Sequence, residues 1–284
     1  MPTDAIPKSY EARLLRVLAY IYDNLDGDLS LDVLAEIACL SRFHWHRVYR
    51  AMTGETLADA IRRIRLIKAA NALVLETAPL AEVAERYGYP NVANFTRAFS
   101  AAHGLSPGAF RDRGVQLAND LQKTTGENRM YPVIIEDMPQ SRAAGVLNVG
   151  PYPGIARAFQ QLGGILVARQ LIPHVRGMIA VYHDAPESKP EAEMKSHAAV
   201  IIDDSFPEKI EGLEYFDIAG GRYAVMQHSG PYATLGSAYE WLYGKWLPQS
   251  GEQPRDAPPI EFYVNDPRNT PPDKLRTDIR LPLK

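Results

Sequence analysis

Two stretches of this chain repeat one another fifty residues apart, and nothing else in the sequence restricts its fold as much. Arg47 recurs as Arg97, Tyr49 as Phe99 and Gly54 as Gly104. Ahead of them, Leu31-Asp-Val-Leu-Ala-Glu-Ile-Ala38 is echoed by Leu80-Ala-Glu-Val-Ala-Glu-Arg-Tyr87, with Ala35 returning as Ala84, one residue sooner. A repeat fixes architecture before any single element does. Both copies have apolar residues at helical spacing on either side of a short turn. Before the first copy, Leu14, Leu15, Leu18, Ile21, Tyr22 and Leu25 form one helical face. Ser30 and Ser41 stand where helix caps belong, and Gly54 where a helix stops. Between the copies, Thr56 caps a long helix running to Leu75, with Leu57, Ile61, Ile64, Ile67, Ala70 and Leu73 on its apolar side. The expectation is an all-α double helix-turn-helix of seven helices over residues 1–115.

The polar, weakly periodic stretch 116–129 is read as a linker, and 130–284 as a second domain of α+β type. Strands are predicted at Val133–Ile135, Ala143–Val149, Met178–Tyr182, Ala198–Ile202, Arg222–His228 and Ile260–Val264. Helices are predicted at Ile155–Gln170 and Ala233–Trp246. A second repeat runs through this part. Gly150-Pro-Tyr152 returns as Gly230-Pro-Tyr232, and Phe159 as Tyr239, both at an offset of 80, each time after a strand and before a helix. Duplicated βαββ units that form a ligand cleft are the expected architecture.

The net charge of −3 does not suit a nucleic-acid binder, but its distribution does. Residues 42–113 hold 11 Lys or Arg against 6 Asp or Glu, a net of +5, whereas 116–284 hold 17 against 21, a net of −4. A polyanion would be met by the first third. The single cysteine, Cys39, excludes a disulfide framework or a thiolate metal cluster. Met1–Lys8 lacks the basic and apolar regions of a signal peptide, and no run reaches the roughly 18 apolar residues of a membrane helix. A cytoplasmic protein without membrane association, metal or cofactor is expected.

On the third helix, Arg42, Phe43, His46, Arg47 and Arg50 fall on one broad face, with Trp45, Val48, Tyr49 and Met52 opposite. Such a helix suits the major groove of double-stranded DNA. Arg47 can bond bidentately to guanine, Phe43 can meet a thymine methyl, and Arg50 fits phosphate. In the second copy Asn91, Asn94 and Arg97 hold the equivalent positions while Phe95 and Phe99 pack. The plainer readings are a solvated arginine face and, for Phe43, cover over a neighbouring helix. His44 and His46 point apart on a helix and make no metal pair. The segment Ser41–Gly54, and Asn91–Arg111 with Ala84-Glu-Arg-Tyr-Gly-Tyr89 ahead of it, resemble the two recognition helices of AraC/XylS-family transcription regulators. That resemblance covers about residues 10–113 and implies a protein that reads two adjacent major-groove segments roughly 34 Å apart, with RNA polymerase as a further partner.

Alternation on the last predicted strand puts Glu261 and Tyr263 on one face and Ile260, Phe262 and Val264 on the other. A carboxylate beside aromatic rings suits an amphipathic cation. Tyr152, Tyr182, Tyr232 and Trp241 are candidate walls, each equally consistent with ordinary core. Glu261 paired with Arg276 or Arg280 is the structural alternative. Gly230-Pro-Tyr232, Pro259–Pro267 and the closing Leu275–Leu283 resemble the GyrI-like effector domain of Rob-type AraC regulators, which implies a small-molecule effector with Glu261 as its counter-charge. Two other functions stay open. Glu261 with Tyr232 or Tyr263 would serve a hydrolase of small electrophiles, although no residue pattern of a catalytic site is otherwise present. The second domain would alternatively bind a protein such as gyrase or polymerase.

Overall fold

The computed structural model describes residues 8–114, 131–184, 189–267, 270 and 274–284, apart from the side chains of residues 8, 9, 43 and 153. The stretch read as a linker, 116–129, lies outside the described residues. Seven helices fill the described residues up to 114. They are α1 (Lys8–Asp23), α2 (Leu31–Ile37), α3 (Arg42–Thr53), α4 (Leu57–Leu75), α5 (Leu80–Arg86), α6 (Val92–His103) and α7 (107–114). Their starts follow the local chemistry. The Ser30 hydroxyl accepts from Val33 N at 3.4 Å and the Ser41 hydroxyl from His44 N at 3.4 Å, so each satisfies an otherwise orphaned amide of a first helical turn. Thr56 does the same for Asp59 N at 3.2 Å.

The two helix-turn-helix copies share the geometry of their turns. After α2 the chain turns through Cys39 at φ 52°, and after α5 through Gly88 at φ 75°. Leu40 N then bonds Ala35 O at 3.0 Å, and Tyr89 N bonds Ala84 O at 2.8 Å. The turns are the same up to that bond; the extra residue of the second copy enters at Tyr89-Pro90, before Asn91 caps α6. Buried apolar residues bear out the periodicity at Leu14, Ile21, Leu34, Trp45 and Tyr49 in the first copy and at Phe95 and Phe99 in the second. Val17, left off the expected face of α1, is fully buried, whereas Leu15, Leu18 and Tyr22 are only half-buried.

The second part contains β1 (Val133–Met138), β2 (Ser141–Val149), α8 (Ile155–Ala168), β3 (Val175–Tyr182), β4 (Lys195–Ile202), β5 (Glu214–Ile218), β6 (Gly221–Ser229), α9 (Leu235–Trp241), α10 (Leu247–Ser250), β7 (Ile260–Tyr263) and β8 (Arg276–Pro282). Its core is β2-α8-β3-β4 followed by β6-α9-β7-β8, the duplicated βαββ unit. Gly150 at φ 128° and Gly230 at φ 141° make the two strand-to-helix turns, a backbone conformation that excludes side chains bearing a Cβ. Sequence periodicity predicts one helix to Trp246. Instead, Leu242–Trp246 is a π-turn that opens into α10. Pro248 is the cause: it has no N–H, and its ring would clash with the carbonyl of Gly244 in an unbroken helix.

By contacts the described residues gather into two compact units. The first takes in residues up to Ile61, Met138–Gly221 and Pro258–Phe262; the second takes in Arg62–Asp137, Arg222–Ala257 and Tyr263–Lys284. In the first, the strand order is β7-β3-β4-β2-β5, with β2 antiparallel to β4 from Arg142↔Ile202 to Val149↔Lys195. In the second the order is β1-β6-β8, with β6 antiparallel to β8 from Tyr223↔Pro282 to Ser229↔Arg276. Strand β1 precedes β2 by only two residues yet lies beside β6, and β5 precedes β6 by two residues yet lies beside β2. A Cβ on Gly220, between β5 and β6, would come within 2.7 Å of Gln140 N, so the two short connections pass in contact.

Candidate functional sites

Helix α3 presents one polar face. Arg42, His44, Arg47 and Arg50 are exposed and His46 is half-buried. Beneath them Trp45 and Tyr49 are fully buried, with ring centroids 5.7 Å apart in an edge-to-face contact. Val48 and Met52 are half-buried. The aromatic pair fixes the helix's rotation and so decides which side chains face outward. Arg42 lies 3.7 Å from Asp32, an exposed pair worth little by itself. A shallow depression is lined by Leu31, Arg42, His46 and Arg47. The side chain of Phe43 lies outside the described residues. Periodicity did not single out His44, whose Nδ1 lies 2.9 Å from the capping hydroxyl of Ser41.

On α6 the Asn91 side chain caps the helix, accepting from Asn94 N at 3.1 Å. Its carbonyl oxygen therefore has a structural task. Asn94 and Arg97 are both exposed, and Arg97 Nη2 donates to Asn94 Oδ1 at 2.5 Å. An arginine held this way loses less rotamer entropy on meeting a partner. Phe95 and Phe99 are fully buried beneath the pair.

In the first compact unit, Glu261 on β7 is 3% exposed and accepts from the Tyr182 hydroxyl at 3.2 Å. The ring of Tyr182 meets that of Tyr152 edge-on at 4.6 Å, and the Tyr152 hydroxyl donates to the backbone oxygen of Asp184. At the next residue of β7, the ring of Phe262 lies where a Cβ on Gly177 of β3 would fall. In the second unit, Tyr232 and Tyr263 meet edge-on at 5.3 Å. Trp241 meets Tyr131 at 5.1 Å, and both rings pack against the cluster of Ala224, Met226, Leu235 and Ile279. The same Gly-Pro-Tyr turn thus delivers one tyrosine to an aromatic pair in each unit. Tyr131 escaped sequence reading because it stands before its strand, in no alternating pattern.

Burial holds His103 and His228 below the ordinary imidazole range, against hydrogen bonds to Leu66 O and within the Pro231 turn that act the other way. His228 also contacts the Thr234 hydroxyl at 2.9 Å. The unfolded chain takes up these protons near pH 6.5, whereas the folded chain does so only at lower pH. Their contribution to stability is therefore complete above the unfolded value and is lost as pH falls through the folded ones. Urea midpoints should be lower at about pH 5.5 than at about pH 7.5, and His228→Gln should flatten the difference. An unchanged or rising midpoint on acidification contradicts this assignment.

A recognition-type helix in a repeated helix-turn-helix, followed by a duplicated βαββ part with buried carboxylate and aromatic pairs, defines a DNA-binding transcription regulator with a small-molecule-binding domain. The family comparisons agree. A helix-turn-helix domain model matches residues 34–113, and the GyrI-like small molecule binding domain matches residues 131–284. The chain belongs to the GyrI-like family, with an AraC-type helix-turn-helix region ahead of that domain. Transcriptional regulator Rob of Salmonella typhimurium is 23% identical over 294 residues, spanning 96% of this chain and 99% of Rob. Right origin-binding protein of Escherichia coli (strain K12) is 25% identical over 289 residues, with the same coverage. The DNA gyrase inhibitor of Yersinia enterocolitica is 33% identical over 139 residues, 48% of this chain and 87% of the inhibitor.

Proposed function

We propose that the chain regulates transcription in response to a lipophilic cation bound at Glu261, with residues 1–115 reading DNA and 130–284 sensing the ligand. The carrying observation is the position of Glu261, 3% exposed and hydrogen-bonded to Tyr182. Burying a carboxylate is costly unless something repays the lost hydration. The Tyr182 hydroxyl holds the carboxylate in place, and a ligand cation that reached this pair would find an opposite charge already fixed there. Tyr152 and Tyr182 supply aromatic surface for an apolar cation's body, and Tyr232, Tyr263 and Trp241 remain candidate ligand contacts of the second unit, considered by itself. On the DNA side, Arg47 and Arg97 are assigned to bases, with Asn94 holding Arg97. Arg42, His46 and Arg50 are assigned to the backbone, and Asn91 to the helix cap and the adjoining phosphate.

Isothermal titration with tetraphenylphosphonium tests the ligand class. Glu261→Gln keeps the shape and removes the charge, and should weaken binding by about tenfold or more, equivalent to ~1.4 kcal/mol. Equal affinity for wild type and variant would take Glu261 out of the site.

A further inference from the structure

Helix α8 begins at the turn that carries Tyr152, and its far end is bound to α1. Two ion pairs bracket the contact. Arg169, which caps the end of α8, bonds Glu11 near the start of α1, its Nε lying 3.0 and 2.9 Å from the two carboxylate oxygens. At the opposite end Arg157 meets Asp23 at 3.0 Å. The start of one helix thus meets the end of the other, and the pair runs antiparallel. Glu11 is 6% exposed, and its ion pair with Arg169 offsets part of the hydration it has lost. Between the brackets α8 has Gly164, where a Cβ would fall 2.8 Å from Leu15 Cδ2 and 3.1 Å from Leu18 Cδ1. The helices meet through leucine methyls seated on bare backbone. Helix α8 also packs directly against α3.

We infer that α8 is the coupling element of the protein: through its bracketed dock on α1 and its contact with α3, it conveys the state of the Tyr152–Tyr182–Glu261 cluster to the first recognition helix. The inference rests on the ligand site proposed above for its input, and on the geometry of the dock for its output. Tyr182 touches both Glu261 and Tyr152, and Tyr152 stands three residues before α8. A ligand cation that engages Glu261 competes with the Tyr182 hydroxyl for the carboxylate and so disturbs the position of the Tyr182 ring and of the Tyr152 ring against it. Ion pairs at both ends of the α1–α8 contact oppose sliding, so a displacement at the start of α8 moves α1 and α3 with it rather than dissipating at the interface. Such a device shifts DNA affinity only as far as the ligand prefers one arrangement over the other.

Hydrogen–deuterium exchange on the full chain tests this in two arms. In the arm without ligand, Arg169→Gln should change the exchange of α3 amides by about threefold or more, along with those of α1 and α8. A response confined to α1 and α8 overturns the inference. In the second arm, saturating tetraphenylphosphonium should alter α3 exchange about fivefold in the wild type. Arg169→Gln should abolish that response while leaving the affinity for tetraphenylphosphonium within about twofold. The exchanged pair Glu11→Arg with Arg169→Glu should restore it, which loss of packing alone would not permit. Retention of the full α3 response in Arg169→Gln overturns the inference. Should tetraphenylphosphonium fail to bind the wild type, the ligand class proposed above falls, and the ligand-free arm decides the coupling. If Arg169→Gln unfolds, Gly164→Ala, which displaces Leu15 and Leu18 without touching a charge, takes its place in both arms with the same expected outcomes.

Discussion

Replacing Phe99 by alanine is expected to destabilise the second helix-turn-helix by about 3–5 kcal/mol, the cost of deleting a fully buried ring from a packed core. Phe99 is fully buried and makes contact on three sides, with ring centroids 5.4 Å from Phe95, 4.3 Å from His103 and 5.3 Å from Phe110. These neighbours come from α6 and α7, so the cavity cannot be closed by shifting one side chain. Total stabilities of about 5–15 kcal/mol leave little reserve after such a loss. Urea unfolding should show the full effect, and affinity for DNA should fall as the second recognition helix loses its support. Leu75→Ala is the control: Leu75 is 62% exposed, and its truncation should stay within about 0.5 kcal/mol. A cost for Phe99→Ala near that of the control would mean that the second repeat is not packed as described.

Arg47→Ala is expected to relax discrimination at one base pair of the operator by about 1–3 kcal/mol, the worth of a good bidentate contact to guanine. Its backbone is fixed by the buried neighbours Trp45 and Tyr49, so the side chain leaves the helix in a set direction. Arg50, one turn further from the start of α3, is in a better position for phosphate, and Arg50→Ala should weaken all sequences alike and lower the salt dependence of binding. Selection of binding sites from a randomised pool, followed by affinities for single-base variants, separates the two cases. A uniform loss across variants in Arg47→Ala would move Arg47 to the backbone class.

The helical part was legible because its signals are local. Ser30, Ser41 and Thr56 act as caps where the sequence places them, and the fifty-residue repeat survives in the burial of Trp45, Tyr49, Phe95 and Phe99. The duplicated Gly-Pro-Tyr turn was legible for the same reason. Strand β8 was within reach: Thr277, Ile279 and Leu281 alternate with more exposed Arg276, Asp278 and Arg280, although charges mask the run. Strand β5, Glu-Tyr-Phe-Asp-Ile, lies at the end of its strand order with no buried residue, so one-sided burial imposed no pattern on it. Long-range matters had no local signal. Glu11 reads as an ordinary acidic residue in a first helical turn, and only its meeting with Arg169, 158 residues away, gives it a task. Asn91 reads as a groove residue and is engaged as a cap. The site around Glu261 was readable as a list of residue types; that the Tyr182 hydroxyl bonds the carboxylate follows from β3 and β7 being neighbours.

The exchange of β1 and β5 has a consequence for how this half of the protein can be taken apart. Each βαββ copy is completed by a strand that precedes the other copy in the chain, the pattern of a swapped dimer fused into one polypeptide. Neither copy alone has its full set of strands, so a fragment ending between β4 and β5 would expose an unpaired edge and associate with its own kind. Removing either copy would therefore leave the other short of a strand.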